Sequence, residues 1–100
     1  MEQITASELR IKLKNKETVI IVDVREPWEY EERQLHPSSR NFPLGNLPQL
    51  ISEMTELKEV SFVVHCKTGT RSNQAQKYLR KNGFSRVINL VGGIEEFLLN

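Results

Sequence analysis

Two kinds of hydrophobic pattern alternate along the chain. Val19–Val24 (VIIVDV) and Val60–His65 (VSFVVH) are continuous apolar runs rich in β-branched residues, the pattern of strands covered on both faces. Elsewhere apolar residues return at helical spacing: Leu9 and Leu13, then Leu47, Leu50, Ile51, Met54 and Leu57, then Ala75, Tyr78 and Leu79. The boundaries have their own signals. Thr5 and Glu8 form a capping box ahead of the first stripe. Pro27 suits the first position of a short helix from Trp28 to about Gln34, and Asn46 and Pro48 open the next. The third stripe predicts a helix from Ser72 to Asn82. Gly83 ends it in a left-handed residue, and Phe84 packs back on the last turn. A strand from Val87 to about Leu90 then leads through Gly92-Gly93 to a short helix, Ile94–Leu99. The turn-rich His36–Gly45 is a connector with at most a short strand. Strands alternating with amphipathic helices predict an α/β fold: a central, mostly parallel sheet flanked by helices.

Length and composition narrow the class. One hundred residues predict a single domain over residues 1–100, able to bury roughly 60–70% of its unfolded surface. With 38% hydrophobic and 27% charged residues, the chain is neither disordered nor membranous. No apolar run approaches the roughly 20 residues of a membrane span. The N-terminus MEQITASELR lacks a basic-then-apolar leader pattern, so a cytoplasmic location is expected. Cys66 is the only cysteine, so no internal disulfide framework exists. No internal repeat or metal-ligand spacing is visible.

Charge changes the picture in one place. Net charge is +1, but residues 1–59 hold 8 Lys/Arg against 11 Asp/Glu. Residues 60–94 hold six bases and no acid, and Cys66 lies among them. Lys77, Arg80 and Lys81 fit a solvated helix face equally well, but a positive field around Cys66 would attract small anions. Nucleic acid is not an expected partner, because the few aromatics do not interleave with the bases.

The segment HCKTGTRS (His65–Ser72) joins the second strand to the third helix. Ligands of open α/β sheets sit at this carboxyl edge. Unpaired N–H groups of the loop Cys66–Arg71 can converge there at the positive end of a helix dipole. Gly69 permits the tight curl, and Lys67 and Arg71 add charge at the rim. Helix N-termini and nearby cations lower a thiol pKa. A lone cysteine is often a small buried filler, but this setting favours a reactive one. Thr68 and Thr70 can offer hydroxyls, although such groups more often bond their own loop.

The chain resembles the rhodanese-like sulfurtransferases over nearly its whole length. DVREPWEYE (Asp23–Glu31), NFPLGNL (Asn41–Leu47), HCKTGTRS and the Gly83–Ile94 segment with VINL and GGI stand in that family's order and spacing. The resemblance implies a small three-layer rhodanese-like domain in which Cys66 carries sulfur as a persulfide. It also bears on the cargo. Related cysteine phosphatases place five residues between cysteine and arginine; Lys67, Thr68, Gly69 and Thr70 are four. A phosphoryl group brings three equatorial oxygens to be held, so the shorter loop fits a single sulfur and disfavours phosphatase activity.

The expected reaction is thiosulfate:cyanide-type transfer: Cys66 takes sulfur from a small anionic donor and passes it to a thiophilic acceptor. Cys66 is the expected catalytic residue, and Lys67, Thr68, Gly69, Thr70 and Arg71 the persulfide-binding loop. Lys67 orients an anionic donor and Arg71 holds the loop. No metal or organic cofactor and no membrane is expected, and the chain is expected to act as a monomer. The alternative is a persulfide-carrying module in a protein sulfur relay, since NFPLGNLPQLISEM resembles rhodanese domains fused to adenylating enzymes. Asp23 is expected to cap strand-end donors, Arg25 to pair with Glu29, and Trp28 to pack between helix and sheet. Along the strand, His65 should point away from Cys66, while His36 should be exposed. Two departures from the family pattern are Gln34–Ser39, which lacks both usual glycines, and Phe97, which stands for a common tryptophan.

Overall fold

A computed structural model describes residues 2–99. Five parallel strands form one sheet in the order β1-β5-β4-β2-β3. They are β1 (Gln3–Ile4), β2 (Ile21–Asp23), β3 (Arg40–Asn41), β4 (Ser61–His65) and β5 (Arg86–Leu90). The helices are α1 (Ala6–Lys14), α2 (Pro27–Glu32), α3 (Leu47–Leu50), α4 (Thr70–Lys81) and α5 (Gly93–Leu99). Among the described residues, no helix is long and apolar enough to cross a membrane.

Strand alternation divides the core into two layers. Val22, Val24, Phe62, Val64, Cys66 and Val87 face α3 and α4, where Leu47, Ala75 and Leu79 meet them. Ile21, Val63 and Leu90 face α1 and α5, where Leu9, Ile94 and Phe97 close the opposite layer. Both sheet faces are therefore dry, which is why β2 and β4 read as unbroken apolar runs.

The capping box at Thr5 and Glu8 is present in both directions, at 3.1 and 2.9 Å. Pro27 opens α2, and α4 closes where Gly83 and Phe84 donate N–H groups to the Arg80 and Leu79 carbonyls. Three features differ from the sequence expectation. The stripe from Leu47 to Leu57 is not one helix: a single α turn, Leu47–Leu50, is followed by 3₁₀ turns at Ile51–Glu53 and Thr55–Leu57. Leu47, Met54 and Leu57 are buried, while Leu50 and Ile51 are only half-buried. Helix α4 starts two residues before the expected Ser72, so Thr70 and Arg71 belong to its first turn rather than to the loop. Finally, β1 has no hydrophobic pattern to announce it. It is two residues long, and Asn89 and Val91 bond to its flanking carbonyls.

Candidate active site

The strand β4 delivers Cys66 directly after its last residue, and α4 starts four positions later. Gly69 makes this abrupt reversal possible: it is the residue before the helix and has φ +111°, a conformation side chains other than hydrogen strain to reach. A Cβ there would make only an ordinary contact, 3.6 Å from the Gly92 backbone nitrogen, so backbone conformation rather than space calls for glycine.

Cys66 is 1% exposed, yet its sulfur is not in a purely apolar site. Sγ accepts the Gly69 N–H at 3.1 Å, the Ser72 N–H at 3.3 Å and the Ser72 hydroxyl at 3.4 Å. Burial pushes the thiol pKa up. The Ser72 hydroxyl and the N–H groups of Ser72, Gly69 and Thr68 outweigh it and hold the pKa below the usual thiol range. Charge-assisted hydrogen bonds favour the thiolate. The geometry makes a stabilised sulfur anion at the N-terminus of a helix.

Arg71 is held on the far side. Its Nη1 and Nη2 donate to the two carboxylate oxygens of Glu29 in α2, at 2.7 and 3.1 Å. The guanidinium hydrogen bonds to Glu29 hold that carboxyl down at about 2, against the opposing effect of burial. The expected Arg25–Glu29 pair is therefore replaced by Arg71–Glu29. Arg25 turns the other way, its Nε and Nη2 donating to the Asp23 carboxylate at 2.8–3.1 Å, and its Nη2 also reaching the Arg33 carbonyl. Asp23 also takes the Arg25 backbone N–H at 2.9 Å, a strand-end capping bond as expected.

His65 is buried on the sheet face opposite Cys66, beside Asp23 in the β2–β4 register. Its Nδ1 lies 3.1 Å from the Cys66 carbonyl. A carbonyl only accepts, so Nδ1 carries the proton. Nε2 has no hydrogen-bond partner among the described residues and stands 3.8 Å from Asp23 Oδ2. Burial pushes the His65 pKa down, more than Asp23 and the Cys66 carbonyl raise it.

The remaining loop residues face outward. Thr68, Gly69 and Thr70 line a cleft of about 300 Å³ with Asn73 and Asn89. Lys67 lines a different cleft, about 280 Å³, with Trp28, Glu29, Ile94 and Leu98. Trp28 is 64% exposed rather than packed between helix and sheet, because α2 is short and has no buried residue of its own. His36 is half-buried rather than exposed, and its Nδ1 lies 2.8 Å from the Ser38 hydroxyl.

Sequence reasoning misses Ser72, which supplies two of the donors to Cys66; a hydroxyl residue at the expected helix start is the available signal. It finds Glu29 with the wrong partner, because Arg71 lies 42 positions away.

Fold and loop together define a class: a three-layer α/β domain with a sequestered, acidified thiol at the carboxyl edge of a parallel sheet. Residues 5–100 match the rhodanese-like domain family, and the chain belongs to it. A sulfurtransferase of Allochromatium vinosum is 35% identical over 94% of this chain and 85% of its own length. The putative sulfur carrier protein YrkF of Bacillus subtilis is 33% identical over 95% of this chain, which spans half of that protein. The crystal structure of a rhodanese-like domain protein from Staphylococcus aureus superposes with TM-score 0.84 at 30% identity, covering 97% of this chain and 91% of that one.

Proposed function

We propose that the protein is a sulfurtransferase that carries a sulfane sulfur on Cys66. One observation carries the reading: two N–H groups and a hydroxyl, from Gly69 and Ser72, converge on a single sulfur where the loop enters α4. That arrangement favours a thiolate now and a persulfide anion later. A loop one residue shorter than that of related cysteine phosphatases suits a single sulfur better than a tetrahedral oxyanion. The Cys66 thiolate attacks the outer sulfur of thiosulfate, forming a new S–S bond, and sulfite leaves with the electron pair of the broken one. An acceptor thiolate or cyanide then attacks the outer sulfur of the persulfide and returns Cys66 as thiolate. Lys67 attracts the anionic donor. Arg71, neutralised by Glu29, acts mainly as a strut between α2 and α4.

A second reading, a relay that hands sulfur to a protein, is favoured by the cleft beside Lys67. The exposed Trp28 and Leu98 there offer apolar area of the kind protein partners bury.

Incubation with thiosulfate should add one sulfur atom to the intact mass of the wild-type protein, and none to Cys66→Ser. Cyanide should then release the sulfur as thiocyanate. Loading followed by very slow release to cyanide would favour the relay. Sulfur uptake that survives in Cys66→Ser, or phosphate release from an aryl phosphate that the same variant abolishes, would overturn both readings.

A further inference from the structure

The first turn of α5 lies against the outside of the cysteine loop. The Ile94 N–H donates to the Cys66 carbonyl and the Glu95 N–H to the Lys67 carbonyl, each at 3.0 Å. A trans peptide holds its C=O and N–H on opposite sides, and no peptide among the described residues is cis. The Lys67 carbonyl and the Thr68 N–H belong to one peptide unit. With the carbonyl held outward on Glu95, the N–H is held inward on the sulfur's side, where it is the weakest of the groups that lower the Cys66 pKa. The Cys66 carbonyl is fixed twice, by Ile94 on one side and His65 Nδ1 on the other.

This docking depends on residue 93 having no side chain. A Cβ on Gly93 would overlap the carbonyl carbon and oxygen of Lys67 and lie 2.7 Å from the Cys66 carbonyl oxygen. These are backbone atoms, so nothing can swing aside. Gly93 also has φ +64°, in the left-handed region. The neighbouring Gly92 does not share this role, because the three atoms nearest to a Cβ there all belong to the side chain of Glu96 and none to the loop.

We propose that the first turn of α5, docked through Gly93, is the positioning element that aims the loop's N–H groups at Cys66. Gly93, Ile94 and Glu95 act on the sulfur through the backbone of Cys66 and Lys67 and are positioning residues. The inference rests on the reading of Cys66 as the sulfur carrier, but its test needs no sulfur transfer.

The measurement is the rate of Cys66 alkylation by iodoacetamide across pH, since the thiolate is the reacting form. Gly93→Ala inserts the obstructing carbon. Glu95→Pro removes the N–H that holds Lys67, at a first-turn position where proline is tolerated. Both should move the midpoint of the profile to higher pH and slow alkylation at neutral pH roughly three- to tenfold. Leu57→Ala serves as a stability control: it opens the opposite core layer without touching α5. It should lower the melting temperature and keep the wild-type midpoint. A wild-type midpoint in a folded Gly93→Ala or Glu95→Pro protein would overturn the proposal, as would an equal shift in Leu57→Ala. If Gly93→Ala does not fold, Glu95→Pro decides. Failure of the wild-type protein to take up sulfur would instead sink the proposed function and leave this inference standing.

Discussion

Ser72 shows how much one residue can carry. Its N–H and its hydroxyl both end on Cys66 Sγ, and the hydroxyl is also within 3.2 Å of the Gly69 carbonyl. Ser72 therefore acidifies the thiol through its N–H, while its one hydroxyl proton goes either to the sulfur or to the Gly69 carbonyl, where it ties the loop to the helix. Ser72→Ala keeps the N–H bond and loses the hydroxyl. The pH profile of Cys66 alkylation should move to higher pH, with the neutral-pH rate falling roughly three- to tenfold, on the usual net worth of a single hydrogen bond. An unchanged profile would show that the backbone donors suffice. The sequence made Cys66, Gly69 and the helix start visible, because each is a local matter of spacing and conformation. It could not pair Arg71 with Glu29, because that choice depends on which segments, 42 positions apart, the fold brings together.

At the scale of elements, α4 does more than present an N-terminus to the loop. Gln76, fully buried, donates its amide hydrogens to the carbonyls of Glu2 at 2.7 Å and Val87 at 2.8 Å. It thereby pins the two-residue edge strand β1 to β5 and to the helix. Gln76→Ala should cost about 1–3 kcal/mol of stability and speed hydrogen exchange at the amides of Asn89 and Val91, which bond to Glu2 and Ile4. Amides in the centre of β4 should exchange as before, and equal acceleration throughout the sheet would refute a local role. The same scale explains the broken helix at Leu47–Leu57. Periodicity records which positions face the core, and 3₁₀ turns can meet that demand nearly as well as an α-helix. The stripe thus located the buried side of the segment without deciding its backbone.

Across the whole molecule, two titrations tie stability to pH with the same sign. His65 is neutral in the folded state because burial depresses its pKa, whereas an unfolded histidine takes up a proton as pH falls through about 6.5. Its contribution is complete above that value and declines below it, by at most about 1.4 kcal/mol per pH unit. Glu29 adds a second acid limb. Its folded pKa is about 2, so the stability from the Arg71 pair is present above the unfolded value near 4.3 and is lost as pH falls toward 2. Denaturant unfolding should show both declines, with the first flattened in His65→Asn and the second in Glu29→Gln. A profile for either variant that parallels the wild type would reject the assignment. Sequence by itself determined the layers, the strand directions and the position of the cysteine at a helix start, because burial on both faces and backbone conformation leave local marks. Only the tertiary structure decided which carboxylate takes Arg71 and which helix steadies the loop. Those are contacts between segments far apart in the chain, and HCKTGTRS becomes a site only when α2 and α5 are packed around it.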